Sequence, residues 1–237
     1  NPDHPFDFIS SGSGNQNVLK SISLFDNYIT YSEYIKKELK SKFPELKTSI
    51  LPFGYMISDY DYMTIKEVEE IKEVAFVGYA DNDRFTIIKH IIDAGFSVNV
   101  FGDKWNLYNR FKNLIVHKPV FGLEYYKTLR KYRIQLNLLR KHNHDSHNMR
   151  TFEVPAVGGI MLTERTSEQL DFFKEDEECF FYANREELIS KIRFILSMSK
   201  EEADVVREAA RNRSVKSNYD YANRASQLIK IIKETIN

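Results

Sequence analysis

The sequence has little of what defines several large classes of protein. It contains one cysteine, Cys179, so an internal disulfide framework is excluded and a reducing compartment, the cytoplasm, is expected. Lys and Arg total 34, as do Asp and Glu, so there is no basic surplus for binding nucleic acid or anionic membranes. No apolar run approaches the roughly 20 residues of a membrane span. We therefore expect no nucleic-acid partner and at most peripheral membrane contact.

What the sequence does contain is enough apolar material for a core, since 42% of its 237 residues are hydrophobic. This length favours one large domain or one and a half. The sequence begins with Asn1 rather than methionine, so we expect it to be part of a longer protein.

From Glu73 onward, strand-like apolar runs alternate with helical patterns. This alternation is typical of an α/β fold, a Rossmann-like parallel sheet covered by helices on both faces. The predicted strands are 74–77, 98–101, 114–116, 134–139, 159–163 and 179–182. The predicted helices are 83–94, 122–131, 185–198, 200–213 and 219–236, and Asp81 or Asn82 is the expected cap of the first.

The preceding part of the chain is less regular. Residues 1–16 are turn-rich, 26–31 read as a strand, 32–42 as a helix, and 50–54 as a short strand entering a turn. The polar segment 58–70 is the predicted linker between this part and the sheet domain.

The most informative stretch is 145–164, DSHNMRTFEVPAVGGIMLTE. It predicts a short helix that begins near Asn148, between two strands. A helix amino terminus offers unpaired N–H groups and a positive dipole end, which suit a phosphate. Glu153 lies about one and a half turns further on, where its carboxylate can accept hydrogen bonds from a hydroxylated ligand such as ribose. The stretch therefore predicts a site for the phosphates and sugar of a nucleotide.

Residues 149–164 resemble the signature of GT-B-fold glycosyltransferases and are most similar to the group around the spore-maturation protein CgeB. The runs 74–78 with Arg84, and 98–102 with Trp105, resemble the first two strands of that group's carboxyl-terminal domain. The resemblance covers about residues 50–195 and is specific only in 145–164. It implies a remnant of the acceptor-binding domain at 1–61, a nucleotide-sugar-binding domain at 62–216, and a last helix at 217–237 that packs back on the first part.

The resemblance implies a role for each acidic residue of this stretch. Glu153 takes the place of the ribose ligand, and Asp145 takes the place that faces the transferred sugar, where the family usually has glutamate. The backbone of Asn148 and Met149 is expected at the diphosphate. His147 is expected beside the donor sugar.

Other candidate residues follow from the positions of strand ends and from charge. Gly78 ends the first strand of the sheet, where ligands of such folds bind. Arg84 and Arg150 are candidates for neutralising the diphosphate, although each also fits a surface ion pair. Lys104 is a weaker candidate of the same kind. Pro119 and Val120 lie where related enzymes contact the base, and they also fit a plain loop.

The resulting hypothesis is a metal-independent transferase that moves a sugar from a nucleotide-diphosphate sugar to a glycan, lipid-linked or protein acceptor, with no cofactor. The resemblance also implies that most of the acceptor-binding domain is missing, which puts catalysis by this chain in doubt. The alternative is a non-catalytic module that binds a nucleotide or glycan. A metal site at His142, His144, His147 and Asp145 is a third hypothesis, but their spacing matches no standard zinc site. The triplet 81–83 is interpreted as a helix cap rather than a metal motif.

Overall fold

The computed structural model describes residues 4–8, 14–140 and 145–236. Its amino-terminal part consists of helix α1 (Gln16–Ile22), strand β1 (Asn27–Thr30), helix α2 (Glu33–Lys42) and strand β2 (Lys47–Ile50). The two strands pair in parallel, as a strand–helix–strand unit requires. Ile22, Tyr28, Ile35, Leu39 and Leu46 form a small apolar core of their own. We call this part the amino-terminal module.

The predicted α/β fold is confirmed by a six-stranded parallel sheet. Its strands are β3 (Ile71–Val77), β4 (Val98–Phe101), β5 (Leu114–His117), β6 (Tyr132–Asn137), β7 (Met161–Glu164) and β8 (Phe180–Tyr182). They lie in the order β5-β4-β3-β6-β7-β8. The chain thus winds outward in one direction from β3 and then in the other from β6, which is the order of a doubly wound Rossmann-like sheet.

Helices cover both faces of this sheet. They are α4 (Asn82–Asp93), α5 (Gly122–Lys131), α6 (Arg150–Ala156), α7 (Ser167–Phe172), α8 (Arg185–Ser197) and α9 (Lys200–Lys216), with a 3-10 turn at Trp105–Tyr108. Alternate residues of β3 face opposite layers: Val74 and Phe76 pack toward α4 and α8, whereas Ala75 and Val77 pack toward α5 and α6. A strand buried on both faces explains why its sequence is continuously apolar.

The segment predicted as a linker contains helix α3 (Asp59–Ile65). The Ser58 side chain accepts a hydrogen bond from the Asp61 N–H group and caps this helix. Ile65 is fully buried, and the Glu70 carboxylate is bound by two arginines of the sheet domain. Residues 58–70 are therefore packed against the larger domain.

The last helix, α10 (Tyr221–Ile236), contacts the amino-terminal module. The Asn27 amide donates to the Thr235 hydroxyl at 2.8 Å, and the Arg224 Nε donates to the Phe53 carbonyl at 3.0 Å. These two bonds tie the end of the chain to β1 and to the turn after β2. Within the described ranges, every helix is too short or too polar to traverse a bilayer.

Candidate functional site

The sheet creates a cleft where its winding direction reverses, between β3 and β6. In doubly wound folds ligands bind at this point, beyond the carboxyl ends of the strands. A cavity of about 350 Å³ lies here, and its floor is formed by the residues that end the two strands, Gly78 and Tyr79 after β3, and Asn137 and Leu138 at the end of β6. We call it the switch-point cleft. Gly102, which ends β4, approaches so closely that a Cβ there would lie 2.2 Å from the Gly78 carbonyl oxygen.

Three arginines line the switch-point cleft, and none of its described lining residues is acidic. Arg84 comes from α4, Arg140 follows β6, and Arg150 begins α6. Burial lowers the pKa of Arg84, and the positive charges of Arg140 and Arg150 lower it further, against the opposing effect of Asp81. The Nε atoms of Arg84 and Arg150 are buried and have no hydrogen-bond partner within the described part of the chain. Three positive charges in a wall whose described residues include no acidic side chain suit an anion.

The start of α6 supplies backbone donors to the same cleft. Asn148 holds the helix start against β6, because its amide donates to Asn137 Oδ1 at 2.7 Å and its Oδ1 accepts from the Thr151 N–H group at 3.2 Å. The Asn148 N–H group itself donates to Thr151 Oγ1 at 3.3 Å. The Asn148 N–H group, which the sequence predicts at the diphosphate, is therefore already engaged within the turn. Met149 and Arg150, whose N–H groups belong to the start of α6, line the cleft as well.

Glu153 lies beside the switch-point cleft and not in its wall. Its carboxylate accepts a hydrogen bond from the Tyr125 hydroxyl of α5 at 2.7 Å and forms an ion pair with Arg150. Burial raises the pKa of Tyr125, which keeps its phenol a proton donor to this carboxylate. The side chain of Glu153 is only 15% exposed. Arg150 therefore lies between Glu153, on its α5 side, and the cavity.

The predicted contact of His147 with a donor sugar does not fit its position. Its side chain is 1% exposed and packs against Tyr31, Phe53, Phe152 and Phe172. Its Nδ1 bonds to the Glu168 carboxylate at 2.6 Å, and its Nε2 accepts from the Phe53 N–H group at 3.4 Å. A catalytic role is therefore incorrect for His147, which acts as a neutral connector between the two parts of the chain.

We expect His147 to stay neutral at a lower pH than an exposed histidine does. Burial lowers its pKa from the ordinary 6.5, although the bond to Glu168 opposes the shift. Because the folded pKa is the lower one, the contribution of neutral His147 to the stability of the fold is complete above the unfolded pKa. It is lost as the pH falls through the folded pKa. An NMR titration of the imidazole should show a midpoint below 6.5, and a midpoint at or above 6.5 would contradict this assignment. In Glu168→Gln the midpoint should fall further, because the opposing charge is removed.

The structure does not bring Asp145 into the switch-point cleft. Its carboxylate accepts hydrogen bonds from the backbone N–H group of Ser167, at 2.6 Å, and from the Ser167 hydroxyl. It lines a neighbouring groove of about 670 Å³ that shares Arg140 with the cleft. The position that the family resemblance assigns to a sugar-facing carboxylate is therefore occupied by a residue that anchors the start of α7.

The remaining candidates also lie outside the cavity. Lys104 is exposed, with its ammonium group 5.0 Å from the ring centre of Tyr79, so it lies close to the cleft floor. Pro119 is exposed, and Val120 lines a separate cavity of about 260 Å³ beside α5. Neither Pro119 nor Val120 shares the switch-point cleft with the arginines.

The metal hypothesis finds no support among the described residues, where no group of three or more acidic, histidine or cysteine side chains could hold an ion. His142 and His144 lie outside the described residues. Asp81 accepts from the Arg84 N–H group at 2.9 Å, which confirms the interpretation of 81–83 as the cap of α4.

The cleft also contains side chains that the sequence did not single out, among them Tyr31, Phe53 and Arg140. Arg140 could have been predicted at the cleft, because it follows β6, a strand next to the reversal of winding. Tyr31 follows β1 and Phe53 follows β2, so both lie far from α6 in the sequence. Nothing in their local sequence indicates that they reach this cleft.

Comparison with known proteins identifies the family and the fold. The model of a family described as "Glycosyl transferase-like" matches residues 84–230. Among curated proteins, none matches this chain. Solved structures do match: a mutant of TarM from S. aureus, in complex with fondaparinux, alpha-GlcNAc-glycerol and UDP, superposes with a TM-score of 0.69 at 11% identity, over 96% of this chain and 48% of that chain.

Two further structures are similar. A glycosyltransferase from Rickettsia africae matches with a TM-score of 0.64 at 14% identity, over 94% of this chain and 66% of its own. Sucrose-phosphate synthase from Thermosynechococcus elongatus matches with a TM-score of 0.64 at 14% identity, over 93% of this chain and 61% of its own. At these identities the likeness concerns the fold, which is that of GT-B glycosyltransferases. The chain spans about half the length of the TarM structure.

Proposed function

Because this chain belongs to the glycosyl transferase-like family, we propose that it binds a nucleotide-diphosphate sugar at the switch-point cleft and transfers the sugar to an acceptor hydroxyl. The observation that supports this most strongly is the set of three arginines around one cavity, two of them with buried Nε donors that lack an acceptor in the described residues. Within the family, residues 149–164 favour the group similar to CgeB.

The proposed chemistry places the diphosphate against Arg84, Arg140 and Arg150. As the bond between the sugar and the diphosphate breaks, negative charge accumulates on the departing diphosphate. Forked guanidinium donors stabilise that charge more in the transition state than in the bound donor, which is what accelerates the reaction. The guanidinium groups themselves supply the positive charge, so the proposed reaction is metal-independent. The acceptor hydroxyl forms a bond to the anomeric carbon as the bond to the diphosphate breaks, and its proton passes to the departing diphosphate.

The nucleoside is proposed to lie on the α5 side of Arg150. A diphosphate on the cavity side of Arg150 brings the adjoining pentose toward Glu153, whose carboxylate already accepts one hydrogen bond from Tyr125. The base would then lie toward the start of α5, near Pro119 and Val120. Asp145 and His147 have no part in this arrangement, because each is engaged in a structural contact.

The acceptor is proposed to be a glycan, a lipid-linked saccharide or a protein hydroxyl that becomes part of the bacterial cell surface. The transfer is proposed to take place in the cytoplasm. The solved TarM structure contains UDP and a GlcNAc-glycerol, so uridine nucleotides are the first probes to use. Calorimetry with UDP, GDP and ADP tests the binding step, and absence of binding to all three would reject the proposal. If binding occurs but the corresponding nucleotide sugars are neither hydrolysed nor transferred, the chain acts as a binding module.

Replacing Glu153 by alanine is expected to remove recognition of the pentose. For the best-bound nucleoside diphosphate, the wild type should prefer the ribose form over its 2′-deoxy or 3′-deoxy analogue. The Glu153→Ala variant should lose about 1–3 kcal/mol of that preference, because a hydrogen bond to a buried charged group is removed. The ratio of the two affinities is the proper measurement, since freeing Arg150 from its ion pair also changes its contact with phosphate.

Glu45→Ala is the matched control, because Glu45 is an exposed carboxylate in the loop before β2. It should leave both affinities unchanged. An unaltered preference for ribose in Glu153→Ala would remove Glu153 from the site without affecting the arginine wall.

A further inference from the structure

One wall of the switch-point cleft is aromatic and comes from the residues that follow β1 and β2. Tyr31 follows β1 and Phe53 follows β2, and both line the cavity together with the arginines. Their ring centres are 4.7 Å apart at an angle of 36°, and both side chains are half-buried. The cavity is therefore lined by cationic side chains of the sheet domain and by these two aromatic rings from the segments after β1 and β2. We call Tyr31 and Phe53 the aromatic wall.

The aromatic wall is held in place from the sheet domain. The His147 ring meets Tyr31 and Phe53 edge-on, with ring centres 5.6 and 5.8 Å apart. His147 also accepts the Phe53 N–H group. The Glu168 carboxylate binds His147 at 2.6 Å and the backbone N–H group of Glu33, at the start of α2, at 2.7 Å. His147 and Glu168 are thus positioning residues for the wall.

The two sides of the cavity suit different parts of one ligand. The arginines suit a diphosphate, and Glu153 lies outside the cavity toward α5, where the pentose is proposed. Tyr31 and Phe53 belong to neither of those places. A group attached to the other end of the diphosphate would therefore meet the aromatic wall.

We propose that the aromatic wall binds the ring face of the sugar that is transferred. The C–H bonds on one face of a pyranose are weakly positive, and the face of an aromatic ring carries negative charge, so the two attract and exclude water between them. This inference rests on the proposed function, since it requires a nucleotide-diphosphate sugar in the cleft. It predicts that contacts with Tyr31 and Phe53 provide the affinity that the sugar adds to that of the nucleoside diphosphate.

The test compares matched ligand pairs on the full chain by calorimetry: UDP with UDP-glucose and UDP-GlcNAc, GDP with GDP-mannose, and ADP with ADP-glucose. The wild type should bind at least one nucleotide sugar more tightly than the matching nucleoside diphosphate. In Tyr31→Leu and Phe53→Leu the affinity for that nucleotide sugar should fall about threefold to tenfold, the usual size of one aromatic contact. The affinity for the nucleoside diphosphate should change less than about twofold.

Three variants complete the experiment. Tyr31→Phe keeps the ring and should retain the affinity of the wild type. Glu168→Gln should lower the affinity for the nucleotide sugar and leave that for the nucleoside diphosphate unchanged. A general structural defect would lower both of these affinities. Tyr60→Leu removes a tyrosine ring that is 81% exposed on α3 and should change nothing. Circular dichroism establishes that each variant is folded.

Several outcomes would overturn the inference. An equal loss for nucleoside diphosphate and nucleotide sugar would place the base on the wall, and no loss in either leucine variant would leave the wall without a ligand. Equal affinities of the wild type for both members of every pair would also reject it. In these cases the proposed function survives, because a nucleoside diphosphate still binds. Failure of every nucleotide to bind would reject both.

Discussion

Replacing Arg84 and Arg150 together by glutamine is expected to weaken binding of a nucleoside diphosphate about 100-fold or more. A hydrogen bond to a charged group contributes about 1.5–3 kcal/mol, and two such contacts would be lost from a partly buried site. Each single variant should lose about tenfold or more. Calorimetry with the best-bound of UDP, GDP and ADP measures the effect directly.

The physical reason is that this pair of arginines lacks full compensation inside the chain. Arg84 donates to the Tyr79 carbonyl at 3.1 Å and lies 3.6 Å from Asp81, yet its Nε has no partner among the described residues. Arg150 is paired with Glu153, and its Nε is likewise without an acceptor there. A dianionic ligand between them would offset the mutual repulsion of the arginines.

The matched control is Arg193→Gln, which removes the same charge from the exposed side of α8. It should change the affinity less than about twofold, so that a loss in the double variant cannot be ascribed to net charge. If the double variant bound nucleotides as well as Arg193→Gln does, the switch-point cleft would not be the phosphate site.

Much of the fold could be predicted from the sequence, because the sheet strands are buried on both faces. Strand β4 and helix α5 occupy the predicted residues, and α4 begins one residue early, at Asn82. The strand predicted at 50–54 lies instead at Lys47–Ile50, and the helices that the prediction missed are α1, α3 and α7. These helices have six or seven residues, too few to show a 3.6-residue period, and they depend on the caps Asn15, Ser58 and Thr166.

The switch-point cleft could be predicted in part, for a reason of topology. Gly78, Arg84, Asn148, Met149 and Arg150 meet there because each lies at or just after the carboxyl end of a strand next to the reversal of winding. The direction of a side chain is a different matter. Asp145 and His147 stand in the same stretch, yet one anchors the start of α7 and the other is buried among aromatic rings. Local sequence does not encode which neighbours compete for these side chains.

The same limit applies to Glu70, which the sequence places in a polar segment. Its carboxylate accepts from Arg133 Nε at 2.8 Å and from the Arg207 guanidinium at 2.5 Å. Arg133 also donates to the Met198 carbonyl at 2.8 Å, and Arg207 to the Arg130 carbonyl at 2.8 Å. Glu70 thus neutralises two buried cations that join β6 and α9 beneath the sheet.

Replacing Glu70 by alanine is therefore expected to lower the free energy of unfolding by about 3–5 kcal/mol, because it leaves the buried Arg133 without a counter-ion and Arg207 with only Asp204, 3.9 Å away. Urea denaturation measures the loss, and Glu69→Ala is the matched control, an exposed neighbour that should change stability by less than about 0.5 kcal/mol. A loss below about 1 kcal/mol would show that water or another carboxylate compensates the arginines.

The pH dependence of that loss provides an independent check. Burial alone would raise the pKa of Glu70, but the hydrogen bonds and charges of Arg133 and Arg207 outweigh it and lower this pKa below its ordinary value. The folded pKa is then below the unfolded one, so the contribution of Glu70 is complete above the unfolded pKa and is lost as the pH falls through the folded pKa. The difference in unfolding free energy between wild type and Glu70→Ala should accordingly be constant near neutral pH and shrink in acid. A difference that stayed constant in acid would mean that Glu70 acts through packing rather than through its charge.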